Sequence, residues 1–237
     1  MSESLLGEAC HIAGLVGGLE PYLARCTTPP SPALADLDHR TRAHDWSGDA
    51  TDAAVEAEML SGHVEGQTLK MLARVTGART ALEVGMFTGY SALALAEGLP
   101  EDGRVVACEI NPAVAEFARG CLDASPHGHR VDIRVGPAAE TLRTLADDGE
   151  QFDVVFIDAD KPGYAGYLDQ VLDGGLLADG GAVLVDNTLL QGEPYAATQP
   201  SANGAAIAAF NAKVAADDRL EQVLLPLRDG LTVIRRA

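Results

Sequence analysis

Residues 80–91, Thr80-Ala81-Leu82-Glu83-Val84-Gly85-Met86-Phe87-Thr88-Gly89-Tyr90-Ser91, decide the fold. Thr80 to Val84 is a short apolar run, and helical spacing begins just after Gly89, so the stretch reads as a strand that turns directly into a helix. In a doubly wound sheet the crevice beyond such a first strand receives a nucleotide, and glycines let the backbone come close to it. The glycines here are spaced GxxxG, and Phe87 stands where a dinucleotide fold has a second glycine beside the pyrophosphate. That spacing argues against NAD.

Outward from this stretch, apolar runs recur at Arg104 to Cys108, Val131 to Val135, Phe152 to Ile157 and Ala182 to Val185, separated by segments with helical pattern. Alternation at this spacing predicts an α/β fold, a Rossmann-like doubly wound, mostly parallel sheet with helices on both faces. Leu220 to Leu227 and Leu231 to Arg235, joined by Arg228-Asp229-Gly230, read as an antiparallel pair closing the sheet edge, for seven strands in all. Upstream, Gln67 to Val75 is a helix with Gly77 as its stop, and residues 1–26 carry apolar positions such as Leu5, Ile12, Leu19 and Leu23 at helical spacing. The prolines from Pro29 to Pro32 break that pattern, so residues 1–57 are expected to form a helical arm or lid and 58–237 the main domain. Gln191 to Gly204, rich in Gly, Pro, Ser and Asn, reads as a long loop and a candidate lid.

The second strand ends near Glu109, where an acidic side chain can accept hydrogen bonds from ribose hydroxyls. Together with the GxxxG turn this points to an adenosine ligand without a pyrophosphate, a description that S-adenosylmethionine meets. The fourth strand leads into Asp158-Ala159-Asp160-Lys161 and the fifth into Asp186-Asn187-Thr188. If those strands are neighbours, Asp158, Asp186 and Asn187 converge, and an all-oxygen set favours a hard cation, Mg²⁺, Mn²⁺ or Ca²⁺. The alternative is that Asp186-Asn187 forms a turn and Asp158 caps a helix. His127 and His129 lack a third ligand at usable spacing and are read as loop residues; Cys10, Cys26, Cys108 and Cys121 show no ligand spacing and are expected to be buried thiols.

Composition narrows the partners. The 237 residues include 17 Lys+Arg against 35 Asp+Glu, a formal net charge of −18. Binding a nucleic-acid backbone or an anionic membrane needs clustered cations, so both are excluded as partners. The N-terminal stretch lacks a basic n-region and no apolar run approaches ~20 residues, so a cytoplasmic location is expected.

Several blocks then resemble one family in order: Glu65-Gly66-Gln67, Leu82 to Gly85 with Thr88 to Ser91, Leu99 to Gly103, Gly136-Pro137-Ala138, Phe156 to Lys161, Asp186 to Leu189, Phe210-Asn211 and Asp229 to Thr232. From about Glu58 to the C-terminus the chain resembles the class I S-adenosylmethionine-dependent, cation-dependent O-methyltransferases of the catechol or caffeoyl-CoA type. The resemblance implies that Ser61, Glu83, Gly85, Ser91, Glu109, Ala138 and Asp160 touch the cofactor, with Met86, Phe87 and Asp158 in the same contact set. It implies Asp158, Asp186 and Asn187 as cation ligands and Lys161 as general base. Glu109 departs from the aspartate of many members, and Met86 from their small or branched residue.

The activity so expected is methyl transfer from S-adenosylmethionine to a hydroxyl of a small catechol-like acceptor, which a cation would acidify and orient. Gln191 to Gly204 contains no Lys or Arg and the arm offers only Arg25, Arg40 and Arg42, so few cations meet the phosphates of a CoA thioester. CoA thioesters and non-aromatic hydroxyls are the alternatives. An NAD-dependent oxidoreductase and a non-catalytic binding protein are the rivals outside the family. The arm, with Leu34 and Leu37, offers apolar surface for a homodimer.

Overall fold

The computed structural model describes residues 18–48 and 56–237. Helices α1 (Leu19–Cys26), α2 (Pro32–Ala43) and α3 (His63–Thr76) precede β1 (Thr80–Val84), α4 (Tyr90–Gly98), β2 (Arg104–Glu109), α5 (Pro112–Leu122), β3 (Val131–Val135) and α6 (Ala138–Asp147). Then follow β4 (Phe152–Ile157), α7 (Tyr164–Asp173), β5 (Leu177–Val185), α8 (Glu193–Ala196), α9 (Ala202–Ala215), β6 (Leu220–Leu225) and β7 (Leu231–Arg236). One seven-stranded sheet runs in the order β3-β2-β1-β4-β5-β7-β6. Strands β1 to β5 are parallel, and β7 lies antiparallel between β5 and β6. The order reverses between β1 and β4, and the crevice for a ligand opens beyond their carboxyl ends.

Side chains alternate across the strands and sort into two cores. Leu82, Val84, Val155 and Ile157 pack with Leu142 of α6, Leu168 of α7 and Phe210 of α9. Ala81, Val154 and Phe156 pack on the other face with Leu69 of α3 and Leu95 of α4. Period two assigns Glu83 to that second face, which makes it a carboxylate in an apolar layer.

Local signals set the element ends. Asn111 caps α5 by accepting from the Ala113 and Val114 amides, and Ser31 caps α2 through the Leu34 amide. Gly77 ends α3 with φ of 70°, a left-handed conformation that glycine adopts without strain.

The sheet is as expected, and the differences are local. Helix α3 begins at His63 rather than near Gln67, and β5 reaches back to Leu177. The expected loop from Gln191 to Gly204 instead holds α8 and the start of α9, because Ser201 caps α9 through the Gly204 amide and Glu193 accepts from the Ser201 amide at 2.7 Å. Leu34 and Leu37 are not free surface: they are buried against Tyr90, Leu93, Cys121 and Leu122 of this same chain. At roughly 1.5–3 kcal/mol per buried leucine, their burial anchors α2 to the main domain. Cys108 and Cys121 are buried as expected, but Cys26 is exposed. The apolar positions from Leu5 to Val16, and Cys10, lie outside the described residues.

Candidate active site

The turn after β1 is shaped by the neighbouring strand. Gly85 has φ of 93°, and a Cβ there would stand 2.1 Å from the Asp158 carbonyl oxygen. Its absent side chain therefore admits the backbone leaving β4, where the sequence suggested room for a ligand. Phe87 also adopts positive φ, at 51°, and its ring packs 5.3 Å from that of Trp46. A buried bond from Thr41 Oγ1 to Thr88 Oγ1, at 3.0 Å, ties the same turn to α2. Glu109 accepts from the Phe87 amide at Oε2 and the Asn111 amide at Oε1, both at 2.8 Å, so each oxygen of the expected ribose acceptor already takes one backbone bond and Oε2 braces the turn. Burial raises the Glu109 carboxyl, and these amides oppose the shift.

Glu83 is fully buried, and neither carboxylate oxygen has a hydrogen-bond partner. Burial pushes its carboxyl well above the usual range, the nearby Ser91 hydroxyl opposes this, and Asp158 and Glu109 add to it. A buried carboxylate without donors is costly, so a ligand bringing positive charge suits this crevice. S-adenosylmethionine, with an ammonium and a sulfonium, has that chemistry. Ser61 is buried just before α3, and Ala138 is half-buried at the start of α6. Asp160 is exposed and accepts from Tyr167 Oη at 2.5 Å.

Strands β4 and β5 are neighbours, with Ile157 opposite Val185, so Asp158 and Asp186 leave adjacent strand ends. Lys161 joins the group: its Nζ donates to Asp158 Oδ1 at 3.0 Å, Tyr164 Oη at 2.7 Å and Asn187 Oδ1 at 2.6 Å. Asp158 thus pairs with Lys161 and does not cap a helix. Asn187 does adopt a turn conformation, φ of 58°, which asparagine tolerates. The segment after it is pinned: the Thr188 amide donates to Gly230 O at 3.0 Å, and Asn211 Nδ2 donates to Thr188 O at 2.8 Å. The turn reading and the ligand reading are compatible, because the turn is what delivers the amide oxygen.

Burial, and next the Asp158 charge, push the Asp186 carboxyl up to about 7. The oxygens present fit a hard cation: two crowded carboxylates and one amide, with a lysine ammonium bridging Asp158 and Asn187. Among the described residues no group of three or more His, Cys, Asp or Glu side chains could hold a metal ion, and the oxygen beside the two carboxylates is the Asn187 amide, which accepts from Lys161. His127 and His129 belong to the loop before β3, as read from the sequence.

Four residues of this region were not picked out from the sequence as site residues: Glu65, Arg228, Tyr164 and Tyr167. Glu65 is 1% exposed and accepts from Arg228 Nη1 at 2.7 Å. Its signal was a glutamate on a helix face otherwise lined by Gly66, Leu69 and Ala73, all buried. Arg228, from the β6–β7 turn, had no local signal at all.

The chain matches the family model described as O-methyltransferase over residues 45–237. It is 37% identical over 213 residues to caffeoyl-CoA O-methyltransferase 2 of Zea mays, covering 86% of this chain and 76% of the relative. An SAH-bound methyltransferase of Podospora anserina (SAH, S-adenosylhomocysteine) superposes with a TM-score of 0.79 at 30% identity, covering 100% of this chain and 97% of the other. The O-methyltransferase TomG of Streptomyces achromogenes, involved in tomaymycin synthesis and solved with S-adenosylmethionine, gives 0.77 at 31% identity, covering 92% and 96%. Likeness in sequence and fold over most of the chain, joined to a crevice with an unpaired buried glutamate, makes this protein a member of the S-adenosylmethionine-dependent O-methyltransferase family.

Proposed function

We propose that this enzyme transfers the methyl group of S-adenosylmethionine to one hydroxyl of a small catechol-like acceptor, with the help of a divalent cation, Mg²⁺ before Mn²⁺ or Ca²⁺. The observation that carries the reading is the convergence of Asp158, Asp186 and Asn187 at the ends of β4 and β5 around Lys161 Nζ. Asp158, Asp186 and Asn187 hold the cation, which supplies Lewis acidity toward an acceptor oxygen and suits two adjacent oxygens better than one. Lys161 Nζ, when neutral, takes the hydroxyl proton; Tyr164 and Asn187 hold it in position. Ser61, Glu83, Gly85, Met86, Phe87, Ser91, Glu109, Ala138, Asp158 and Asp160 form the cofactor contact set. Because the sulfonium carries a good leaving group, no covalent enzyme intermediate is needed.

The names of the plant relatives favour a second acceptor class, a caffeoyl-CoA-like thioester. Against it, Arg40 donates to Gly120 O, Arg42 pairs with Asp38, and Arg25 lies over Tyr22. The test is a rate comparison with catechols, monophenols and CoA esters, with and without EDTA. A catechol is expected to outrun a phenol, and EDTA to stop turnover. A far higher kcat/KM for the CoA ester would select the second class, and equal rates on mono- and dihydroxy compounds would remove chelation. A cytoplasmic homodimer belongs to the same reading, and light scattering giving a monomer mass at micromolar concentration would reject the dimer. No helix among the described residues is long and apolar enough to cross a membrane.

A further inference from the structure

We propose that Trp46 is a positioning residue for the cofactor: its indole holds Phe87 in a left-handed conformation, and that conformation keeps the Phe87 amide on Glu109, the expected ribose acceptor. The inference rests on the reading of this crevice as the S-adenosylmethionine site. Trp46 opens a short 3-10 turn after α2 and is buried. Its ring is fixed on several sides. Nε1 donates to Thr41 O at 3.0 Å, the His44 ring stands 4.3 Å away, and the Phe117 ring of α5 meets it edge-on at 5.0 Å. Arg40 steadies Phe117 in turn, with its guanidinium 5.7 Å from the ring centroid and Nη1 donating to Gly120 O at 3.1 Å. The Phe87 ring, 5.3 Å from the indole, completes the cluster.

Packing alone does not account for where this cluster ends. Phe87 has φ of 51°, a region where a residue with a bulky side chain is strained, and such conformations persist only when the surroundings impose them. The turn it occupies is closed by the Gly89 amide donating to Met86 O at 3.1 Å, and the Phe87 amide donates to Glu109 Oε2 at 2.8 Å. A return of Phe87 to negative φ would open the first bond and carry the amide away from Glu109. Two contacts from the end of α2 oppose that return, Trp46 against the Phe87 ring and Thr41 Oγ1 donating to Thr88 Oγ1, and the bond from Trp46 to Thr41 makes them one unit. A turn shaped in advance spares the cofactor the cost of ordering it, so the indole contributes to cofactor affinity. Trp46 acts through Phe87 and Glu109 and takes no part in the methyl transfer itself.

The test is SAH affinity of the full chain by calorimetry, with melting temperature as the separate measure of packing. Trp46→Leu is expected to weaken SAH on the order of tenfold, and Trp46→Phe, which keeps a ring, to restore most of that loss. Glycine adopts positive φ without strain, so in a Phe87→Gly background the same Trp46→Leu change is expected to alter SAH affinity by less than about twofold. A lower melting temperature with unchanged SAH affinity in Trp46→Leu would reduce the indole to packing, and an equal loss in both backgrounds would show that it does not act through Phe87; either result overturns the proposal. Phe87→Ala and Phe87→Gly cover the case in which Trp46→Leu does not fold. Both remove the ring that Trp46 holds, and only alanine keeps the strain, so Phe87→Gly is expected to bind SAH severalfold more tightly than Phe87→Ala. Equal affinities in that pair would also overturn the proposal and leave the cofactor reading standing. Failure of the parent protein itself to bind SAH would overturn the cofactor reading and this inference with it.

Discussion

The two halves of the crevice handle buried negative charge differently. On the β1–β2 side, Glu109 is held by backbone amides at 2.8 Å, whereas the fully buried Glu83 has only the Ser91 hydroxyl to ease its charge. On the β4–β5 side, Asp158 and Glu65 are each met by a long cationic side chain, Lys161 and Arg228. Backbone amides cannot move without unfolding the turn, whereas a lysine can swing aside through its rotamers. The β1–β2 half therefore has a fixed shape around a buried Glu83, and the β4–β5 half has Asp158 and Glu65 neutralised by side chains able to yield, as the proposed cation would require.

The sharpest way to break this contrast is to remove one proposed cation ligand. Asp158→Ala, Asp186→Ala and Asn187→Ala are each expected to abolish methyl transfer while SAH still binds; substantial turnover in any of them would show that the β4–β5 oxygens do not form the reactive centre. Next in size, Lys161→Ala should lower kcat by roughly 10²- to 10⁴-fold with cofactor affinity nearly intact. An unchanged kcat would assign the proton to another group.

Glu83→Gln probes the other half and has effects of opposite sign. It should weaken S-adenosylmethionine binding by about tenfold or more, since a charged hydrogen-bond partner is worth about 1.5–3 kcal/mol. The cofactor-free protein, relieved of a buried carboxylate, should melt a few degrees higher. The folded-state carboxyl lies well above its unfolded value, so the parent's stability is full below the unfolded value near 4.5 and declines as pH rises toward the folded one. The gain from Glu83→Gln should therefore be larger at pH 8 than at pH 5, and a pH-independent difference in melting temperature would contradict it. The smallest effect is expected from Thr41→Val, which deletes the buried bond to Thr88 and should cost about 1 kcal/mol with a modest rise in KM for the cofactor. A rise in KM without any loss of stability would mean that α2 contacts the ligand directly.

What the linear chain decided by itself is the strand set and the carboxyl-edge placement of Glu83, Glu109, Asp158 and Asp186. Period-two alternation, β-branched runs and the Gly85 to Gly89 turn are local properties, and the helical segments between consecutive runs make those strands parallel, so their carboxyl ends share one edge. The structure of Gln191 to Gly204 was hidden, because its capping bonds from Ser201 and Glu193 have no periodicity to betray them. Tertiary structure alone decided that Leu34 and Leu37 cover Leu93 and Leu122 instead of an outer surface, since an apolar helix face does not encode which apolar surface it meets. It also decided that Gly85 yields to the Asp158 backbone, and that Arg228 reaches Glu65 across 163 positions of sequence. Such contacts depend on the register of β4 against β5 and on the twist that brings the β6–β7 turn over the first turn of α3, and neither quantity is written in any local stretch of residues.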